Sequence, residues 1–588
     1  MKKIIPIILF LFIISCERDF KEINTNPDTF SSLEPEYIFG GVVLRTIDLI
    51  ADMNKRVFWS YSHYLSIEGG PFPRYSATPV SMNGWWDRFY IDILSNLNQI
   101  KVMYGEDPDY ANRIQIVNIW QSYIYSIMVS MWGPVPYFET FDQSSRSYSY
   151  DSEPDIYTDI LSTLKTASEL LDEEGDVFTP DVIFGDDEIQ GWKKFANTLR
   201  LKLALRISDV NPTLAGQHIT ELMANEEMLV SGEDEDVRAY WGTSVLDYSP
   251  YYEEYIFNAA SPGVYPYLSH FLFLYLRSYG DPRTETFANP SLLPYVVADT
   301  IWVMDLIPEP DPNDTVAYLI NYPIPYYGRP KTGRVPDVWH IEDPLPLPPS
   351  DYSYSDVHSQ FLVADYYHSI ISHVDVLFMK AEAALKGYGG SRTAEEYYYE
   401  GIEASFTQYG FSGDYNNYIL QDGIAWETSA IGFEDFRGIV NSDIDGDPLK
   451  QIALQRWISN YFHGAHDAWC LQRRLRFLDL PPHFNPESPT TTNVLAADLP
   501  ERLPYPANED YLNHDEFAEA IDVYFDGDND MNGLLYFSKE YEHTDWLNIV
   551  PRINNDVVRY MYGETFEELD AAGVEYEIIK AIKYRSID

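Results

Sequence analysis

The sequence predicts a mainly α protein, a superhelix of paired helices interrupted by a large loop-rich region with a few short β-strands. Apolar residues recur at helical spacing in two blocks, about residues 85–225 and 360–475, which is the pattern of amphipathic helices with one buried face. Between the blocks, residues 261–350 hold 16 of the chain's 38 prolines. Proline at that density excludes long helices and central strands, so about residues 240–355 are read as loops with short strands such as Tyr295 to Met304.

The chain opens Met1-Lys2-Lys3, runs apolar from Ile4 to Ile14, and reaches Ser15-Cys16. A charged start, an apolar stretch and a small residue at the cut are the parts of a secretory signal, which assigns residues 1–15 to a signal peptide. The run is 11 residues long, whereas a spanning helix needs about 20. Ile13-Ile14-Ser15-Cys16 resembles a bacterial lipobox, which makes Cys16 the expected lipid anchor. Residues 16–33, with Asn24, Asn26-Pro27-Asp28 and Ser31-Ser32, read as a lipidated, turn-forming spacer.

Removal of the signal leaves 92 acids against 38 bases, a formal charge of -54. Such a surface repels phosphate backbones, whose capture relies on Lys and Arg, so nucleic acid is excluded as a partner. It also disfavours polyanionic ligands, and neutral or cationic ones are easier to accommodate. Beyond Cys16 the chain has a single cysteine, Cys470. No intramolecular disulfide then braces the mature chain, and a large core must stabilise it. No low-complexity linker divides residues 34–588, which are read as one unit.

Within the first block, helices are expected over 85–103, 111–131, 154–172, 190–208 and 214–224; Ala196, Leu199, Leu203 and Ile207 mark one core stripe. In the second block, Ile370, Val374, Leu377, Ala381 and Ala384 are assigned to one helix face. Ala394 to Tyr409 forms its partner across Gly387 to Gly390. Small residues at such crossings are the stacking unit of helical repeats.

Strings spread along the chain, in order, resemble the SusD/RagB family of surface lipoproteins. They begin with Cys16-Glu-Arg-Asp-Phe and Ile23-Asn24-Thr25-Asn26-Pro27, then Trp85-Trp86 with Tyr90. Met131-Trp132-Gly133-Pro134-Val135-Pro136-Tyr137, Tyr150-Asp151 and Trp192-Lys193-Lys194-Phe195-Ala196-Asn197-Thr198-Leu199-Arg200 follow. The series continues through Val376 to Ala383, Gln455-Arg456-Trp457-Ile458, Asp467-Ala468-Trp469 with Arg473-Arg474, and ends at Arg502-Leu503-Pro504-Tyr505-Pro506. The resemblance implies a SusD-like superhelix of TPR-like helix pairs and an outer-membrane, cell-surface location. It also implies capture of an oligosaccharide for a SusC-like TonB-dependent transporter, with peptide as the alternative cargo. Residues from about 525 to 588 are expected to form an atypical C-terminal extension.

Aromatic residues make up 15% of the chain. A flat ring with a polar tip stacks on the apolar face of a sugar while neighbouring polar groups bond its edge. The ligand candidates in and near the loop-rich region are Trp241, Tyr251, Tyr252, Trp302, Tyr326, Tyr327 and Trp339, with Arg74 and Trp85 from the first loops. Trp192, Arg200, Trp457, Trp469, Arg473 and Arg474 lie on helices and are read as architecture.

Two strings have calcium-loop spacing, Asp528-x-Asp530-x-Asn532-Gly533 and Asn441-x-Asp443-x-Asp445-Gly446, but their twelfth positions are Lys539 and Ile452 rather than Glu. No G-x-S-x-G, P-loop or H-E-x-x-H string is present. The expected class is therefore a binding protein without a catalytic residue, with calcium at one of these two strings as the one candidate cofactor. A surface glycoside hydrolase and a purely structural lipoprotein are the competing readings.

Overall fold

The structure, a computed structural model, describes residues 34–67, 77–142, 144–145, 147–185, 188–258, 266–290, 295–302, 317–324, 354–430, 444–478 and 499–540. Its first helix, α1 (Pro35–Met53), carries no clear stripe in the sequence. Phe39, Val42, Val43, Ile47 and Leu49 are all buried, Tyr37 and Arg45 are exposed, and Gly40-Gly41 interrupts the pattern. Proline at the first helical position costs nothing there, because that amide has no intrahelical partner anyway. α1 runs on through a π-helical turn, Asn54–Phe58, into Trp59–Tyr61.

α2 (Pro79–Asp87) likewise passes through π-helical Arg88–Leu94 into α3 (Ser95–Tyr104). α4 (Ala111–Trp132), α5 (Glu153–Leu170), α6 (Ile189–Arg206) and α7 (Pro212–Met223) follow within two residues of the expected spans. Their starts are chemically marked. Ser152 accepts from the Asp155 amide, Asn211 accepts from the Leu214 amide, and both helices carry proline in the first turn, the usual N-terminal signature. α4 ends at Gly133, whose φ of +85° favours glycine. A β-carbon there would lie 3.0 Å from Leu535 and 3.1 Å from Phe525, so the Trp-Gly-Pro string leaves room for the C-terminal segment.

The strands occur as short antiparallel pairs: β1 (Leu65–Ser66) with β3 (Tyr267–Leu268), β2 (Val237–Tyr240) with β6 (Tyr367–Ile371), β4 (Tyr295–Trp302) with β5 (Ala317–Ile324), and β7 (Ser429–Ala430) with β8 (Ile444–Asp445). β4 matches the strand expected from Tyr295. Ile370, assigned from sequence to a helix face, belongs to β6 instead. Ser372 caps the following helix by accepting from the Asp375 amide, so helical geometry starts only at α9 (His373–Leu385). A short α8 (His270–Ser278) precedes that region. α10 (Ala394–Gln408) begins with a capping box between Thr393 and Glu396, and packs on α9 as its expected partner. α11 (Pro448–Ser459), α12 (Ala465–Leu475) and α13 (His514–Phe525) complete the main helices.

The tryptophans and arginines read as architecture are buried. Indole nitrogens tie distant segments: Trp192 to Asp181 Oδ2 (2.6 Å), Trp457 to the Ser62 carbonyl (2.9 Å) and Trp469 to the Pro500 carbonyl (2.8 Å). Arg473 stacks on Trp469 at 3.6 Å and donates to the carbonyls of Glu501 (2.6 Å) and Ser130 (2.8 Å). Arg474 grips Glu382 with two bonds of 2.6 Å. These strings are therefore the joints between α4, α9, α12 and the C-terminal segment. The described part of the expected extension, residues 525–540, is continuous with the core, because Phe525, Met531, Leu535 and Phe537 are all buried. Among the described residues no helix is long and apolar enough to cross a membrane.

Candidate functional site

The C-terminal half of α1 brings several sequence candidates together. Asp48 and Asp52 lie one turn apart on α1, the spacing that puts two side chains on one helix face. Asp48 Oδ1 accepts from the Trp241 indole (3.1 Å), and Asp52 Oδ2 accepts from the Trp85 indole (3.0 Å). Trp241 meets Tyr251 edge to face at 5.9 Å, and the Tyr251 hydroxyl accepts from Asn54 at 3.3 Å. Trp85, Trp241 and Tyr251 are only 6%, 7% and 0% exposed. Their place is beneath the surface, as anchors rather than as the ligand-stacking faces read from the sequence. A large ring near water gains most by burying its body and bonding its polar edge.

The exposed rings lie on the segment that follows Trp241. Gly242 donates to the Asp247 carbonyl at 2.8 Å, closing a tight loop, and the Asp247 carboxylate lies against Gly242, where a β-carbon would collide with it. Ser249 then starts the helical turn Pro250–Tyr252, which continues as π-helical Glu253–Phe257. Tyr248 meets Tyr252 edge to face at 4.9 Å and Phe257 at 5.2 Å. Phe257 is 52% and Leu246 95% exposed, while Tyr248 and Tyr252 are half-buried. These residues form an aromatic ledge open to solvent, with Trp241 and Tyr251 fixing its base.

Charged groups surround this ledge. Lys55 pairs with Glu254 at 2.5 Å and also approaches the Pro250 carbonyl at 3.4 Å, which ties the ledge to α1. Arg56 pairs with Asp52 at 2.9 Å. Burial pushes the Asp48 carboxyl up, as do the charges of Asp247 and Glu253, against the pull of the Trp241 bond and of Arg88. Burial also works on Asp52, but there the bonds from Trp85 and Arg56 outweigh it and hold the carboxyl down. The arrangement offers flat apolar faces for stacking and carboxylates at the rim for hydroxyl or amine contacts.

Of the sequence candidates, Trp85, Trp241, Tyr251 and Tyr252 thus gather at one place. Arg74, Tyr326, Tyr327 and Trp339 lie outside the described residues, as do Cys16 and the side chain of Trp302. Tyr248, Phe257, Asp48 and Asp247 were not nominated. The Tyr248-x-x-x-Tyr252 spacing at the border of the loop-rich region was the available signal, whereas the approach of α1 was invisible.

At the first calcium-like string, Asp530 Oδ1 accepts from the Asn532 amide at 2.9 Å and its other oxygen accepts from the Asn532 side chain. Asn529 meanwhile exchanges bonds of 2.7 and 3.0 Å with the backbone of Tyr505. These are turn-closing bonds. Asn441, Asp443 and the side chain of Asp445 lie outside the described residues. Among the described residues no three His, Cys, Asp or Glu side chains converge as a metal site.

Paired helices thus carry an exposed aromatic ledge on the loop and turn that follow Trp241, the geometry of a binding surface. The chain belongs to the SusD/RagB family. One family model, described as starch-binding and associating with the outer membrane, matches residues 27–294, and a second, SusD and RagB outer-membrane lipoprotein, matches residues 348–538. Solved structures agree in fold. A chitin-binding SusD homologue from Flavobacterium johnsoniae is 20% identical, with 86% of this chain and 99% of that one covered at a TM-score of 0.65. A SusD homologue from Bacteroides uniformis is also 20% identical, with 86% and 100% covered at 0.66. One from Bacteroides thetaiotaomicron is 18% identical, with 87% and 100% covered at 0.63. No curated protein matches the chain.

Proposed function

We propose that this protein is a cell-surface lipoprotein, tethered through Cys16, that binds an oligosaccharide on the aromatic ledge and delivers it to a SusC-like TonB-dependent transporter without chemical turnover. The observation that carries the reading is the open cluster Tyr248, Tyr252 and Phe257 above an anchor fixed by the Trp241–Asp48 bond. Sugar rings gain by stacking on such faces. The chitin-binding description of the Flavobacterium homologue and the starch-binding description of the family model favour glycan over peptide.

Isothermal titration of the mature chain carrying Cys16→Ser against glycan and peptide panels tests the cargo. A sugar response without cleavage of the bound oligosaccharide is expected. Peptide binding with no sugar response would sink the glycan assignment, and turnover would make the protein a hydrolase. Co-purification with a TonB-dependent barrel tests delivery; its failure would leave a binding protein without that partner.

Replacing one ledge ring is expected to weaken the bound sugar by roughly 1–3 kcal/mol, the contribution of a well-buried aromatic contact. Tyr252→Ala and Phe257→Ala should each raise Kd about tenfold with little change in Tm, because both rings sit at the surface. Trp241→Phe should weaken binding and also lower Tm, since it removes the indole bond to Asp48. Unchanged affinity in all three variants would move the site elsewhere.

A further inference from the structure

The rim of the ledge has a charge imbalance that the fold does not need. Two of its five carboxylates are matched by cations: Asp52 by Arg56 and Glu254 by Lys55. Asp48 is bonded to the Trp241 indole and faces Arg88. Asp247 and Glu253 are exposed and make no ion pair among the described residues. Glu253 Oε1 accepts only a long bond from Asn258, at 3.3 Å, and the Asp247 carboxylate rests against Gly242. Asp247 lies against Gly242, next to the Trp241 whose indole bonds Asp48, and Glu253 follows Tyr252 on the same turn, so the three negative groups share one locality, and Asp247 and Glu253 push the Asp48 carboxyl up. Carboxylates accept from the hydroxyls of a neutral sugar as well, but a neutral ligand leaves the repulsion between them in place.

An ammonium group would relieve that repulsion, and the neighbouring rings suit it as well. The faces of Tyr and Phe carry negative electrostatic potential, so a cation held over them is attracted, and more strongly once partly desolvated. Tyr248, Tyr252 and Phe257 supply the faces, and Asp247 and Glu253 supply the counter-charges from the same loop and turn. Resting on the glycan reading of this ledge, we infer that the site selects oligosaccharides bearing free amines over their N-acylated or acidic counterparts. The overall charge of -52 attracts any cation from a distance, but salt screens exposed charges beyond about 8–10 Å. Selectivity between two sugars of the same backbone must therefore come from groups at the ledge.

The test compares a glucosamine hexamer with an N-acetylglucosamine hexamer by calorimetry on the mature chain carrying Cys16→Ser. The amine form is expected to bind at least tenfold tighter at low salt, with the ratio shrinking as salt is added. In the double variant Asp247→Asn, Glu253→Gln the ratio should fall to near one. In Asp515→Asn, Glu519→Gln, which neutralises two exposed acids on α13, it should stay as it was. Equal binding of both hexamers to the parent, or a preference that survives Asp247→Asn, Glu253→Gln, overturns the amine selectivity while leaving glycan binding intact. Tetralysine binding as tightly as the glucosamine hexamer also overturns it, because the sugar rings would then add nothing. Binding of neither hexamer, nor of any other glycan, overturns the glycan reading and this inference with it.

Discussion

Asp375→Asn is expected to lower the stability of the fold by about 3–5 kcal/mol, the usual cost of leaving buried charges without their counter-ion. Asp375 is buried on α9, and it accepts from Arg456 Nε at 2.7 Å and from Asn460 at 2.8 Å, with Lys202 at 3.3 Å. Lys202 also meets Asp467 at 2.6 Å, and Arg206 meets the same carboxylate at 2.9 Å. One aspartate therefore holds α6, α9 and α11 together, and its loss leaves three cations, Lys202, Arg206 and Arg456, with Asp467 as the one acid paired to any of them among the described residues. The measurement is the urea midpoint at unchanged slope. A loss under 1 kcal/mol would mean that Asp467 and water compensate, and that the network is not a joint. Replacing both partners by apolar residues, as in Asp375→Leu with Arg456→Met, should recover part of the loss, since a buried pair is worth little against good apolar contacts.

The same network sets an acid limit. Burial pushes the Asp375 and Glu382 carboxyls up, but the neighbouring guanidinium and ammonium charges outweigh it, holding Asp375 well below its ordinary value and Glu382 at about 2. A carboxyl depressed on folding contributes stability that is present above its unfolded pKa and is lost as pH falls through the folded one. For Glu382 that is about 3 kcal/mol, lost between roughly pH 4.5 and 2. Acid unfolding monitored by far-ultraviolet circular dichroism should show this window, and Glu382→Gln should flatten it.

The helical blocks were legible in the sequence because a buried stripe repeats with the helix: Leu199 and Leu203 on α6 and Val374 and Ala381 on α9 are buried as their spacing implies. The architectural strings were legible through their resemblance to a family, and their physical content appeared only in space. Arg456, for example, reaches Asp375 across 81 positions. α1 escaped because Gly40-Gly41 and Thr46 blur its buried stripe and only Arg45, Asp48 and Asp52 mark its polar face, and Ile370 was misassigned because β6 abuts α9 with only Ser372 between them. The site was half legible. Composition identified four aromatic residues that gather near the proposed ledge, but not which of them are exposed. Trp241 and Tyr251 became anchors because Asp48 on α1 and Asn54 in the π-helical turn after it claim their polar atoms, a fact settled by contacts nearly 200 positions apart.

A second large effect is expected at Glu153, with the opposite sign. This residue opens α5, is buried, and accepts from the Tyr536 amide at 3.0 Å through Oε1, while Oε2 has no partner among the described residues. Burial pushes its carboxyl up to about 8, against the pull of the Tyr536 bond and of Arg473 and Arg502. The α5 N-terminus also favours the ionised form, by up to about 2 kcal/mol in partly buried settings, which narrows the effect without reversing it. An acid whose folded pKa lies above its unfolded one contributes stability that is fully present below about pH 4.5 and is lost as pH rises towards 8. Glu153→Gln mimics the protonated form at every pH. It should therefore stabilise the protein by about 2–3 kcal/mol at pH 7 and more at pH 8.5, yet hardly change it at pH 4.5. The gain should reside in the C-terminal segment, where the Tyr536 amide bonds this carboxyl between the buried Leu535 and Phe537, and appear as slower amide exchange at Tyr536 under alkaline conditions. If Glu153→Gln instead destabilises the protein at pH 8.5, the carboxylate is ionised and held by Arg473 and Arg502. The C-terminal segment would then be clamped by charge rather than by a neutral hydrogen bond.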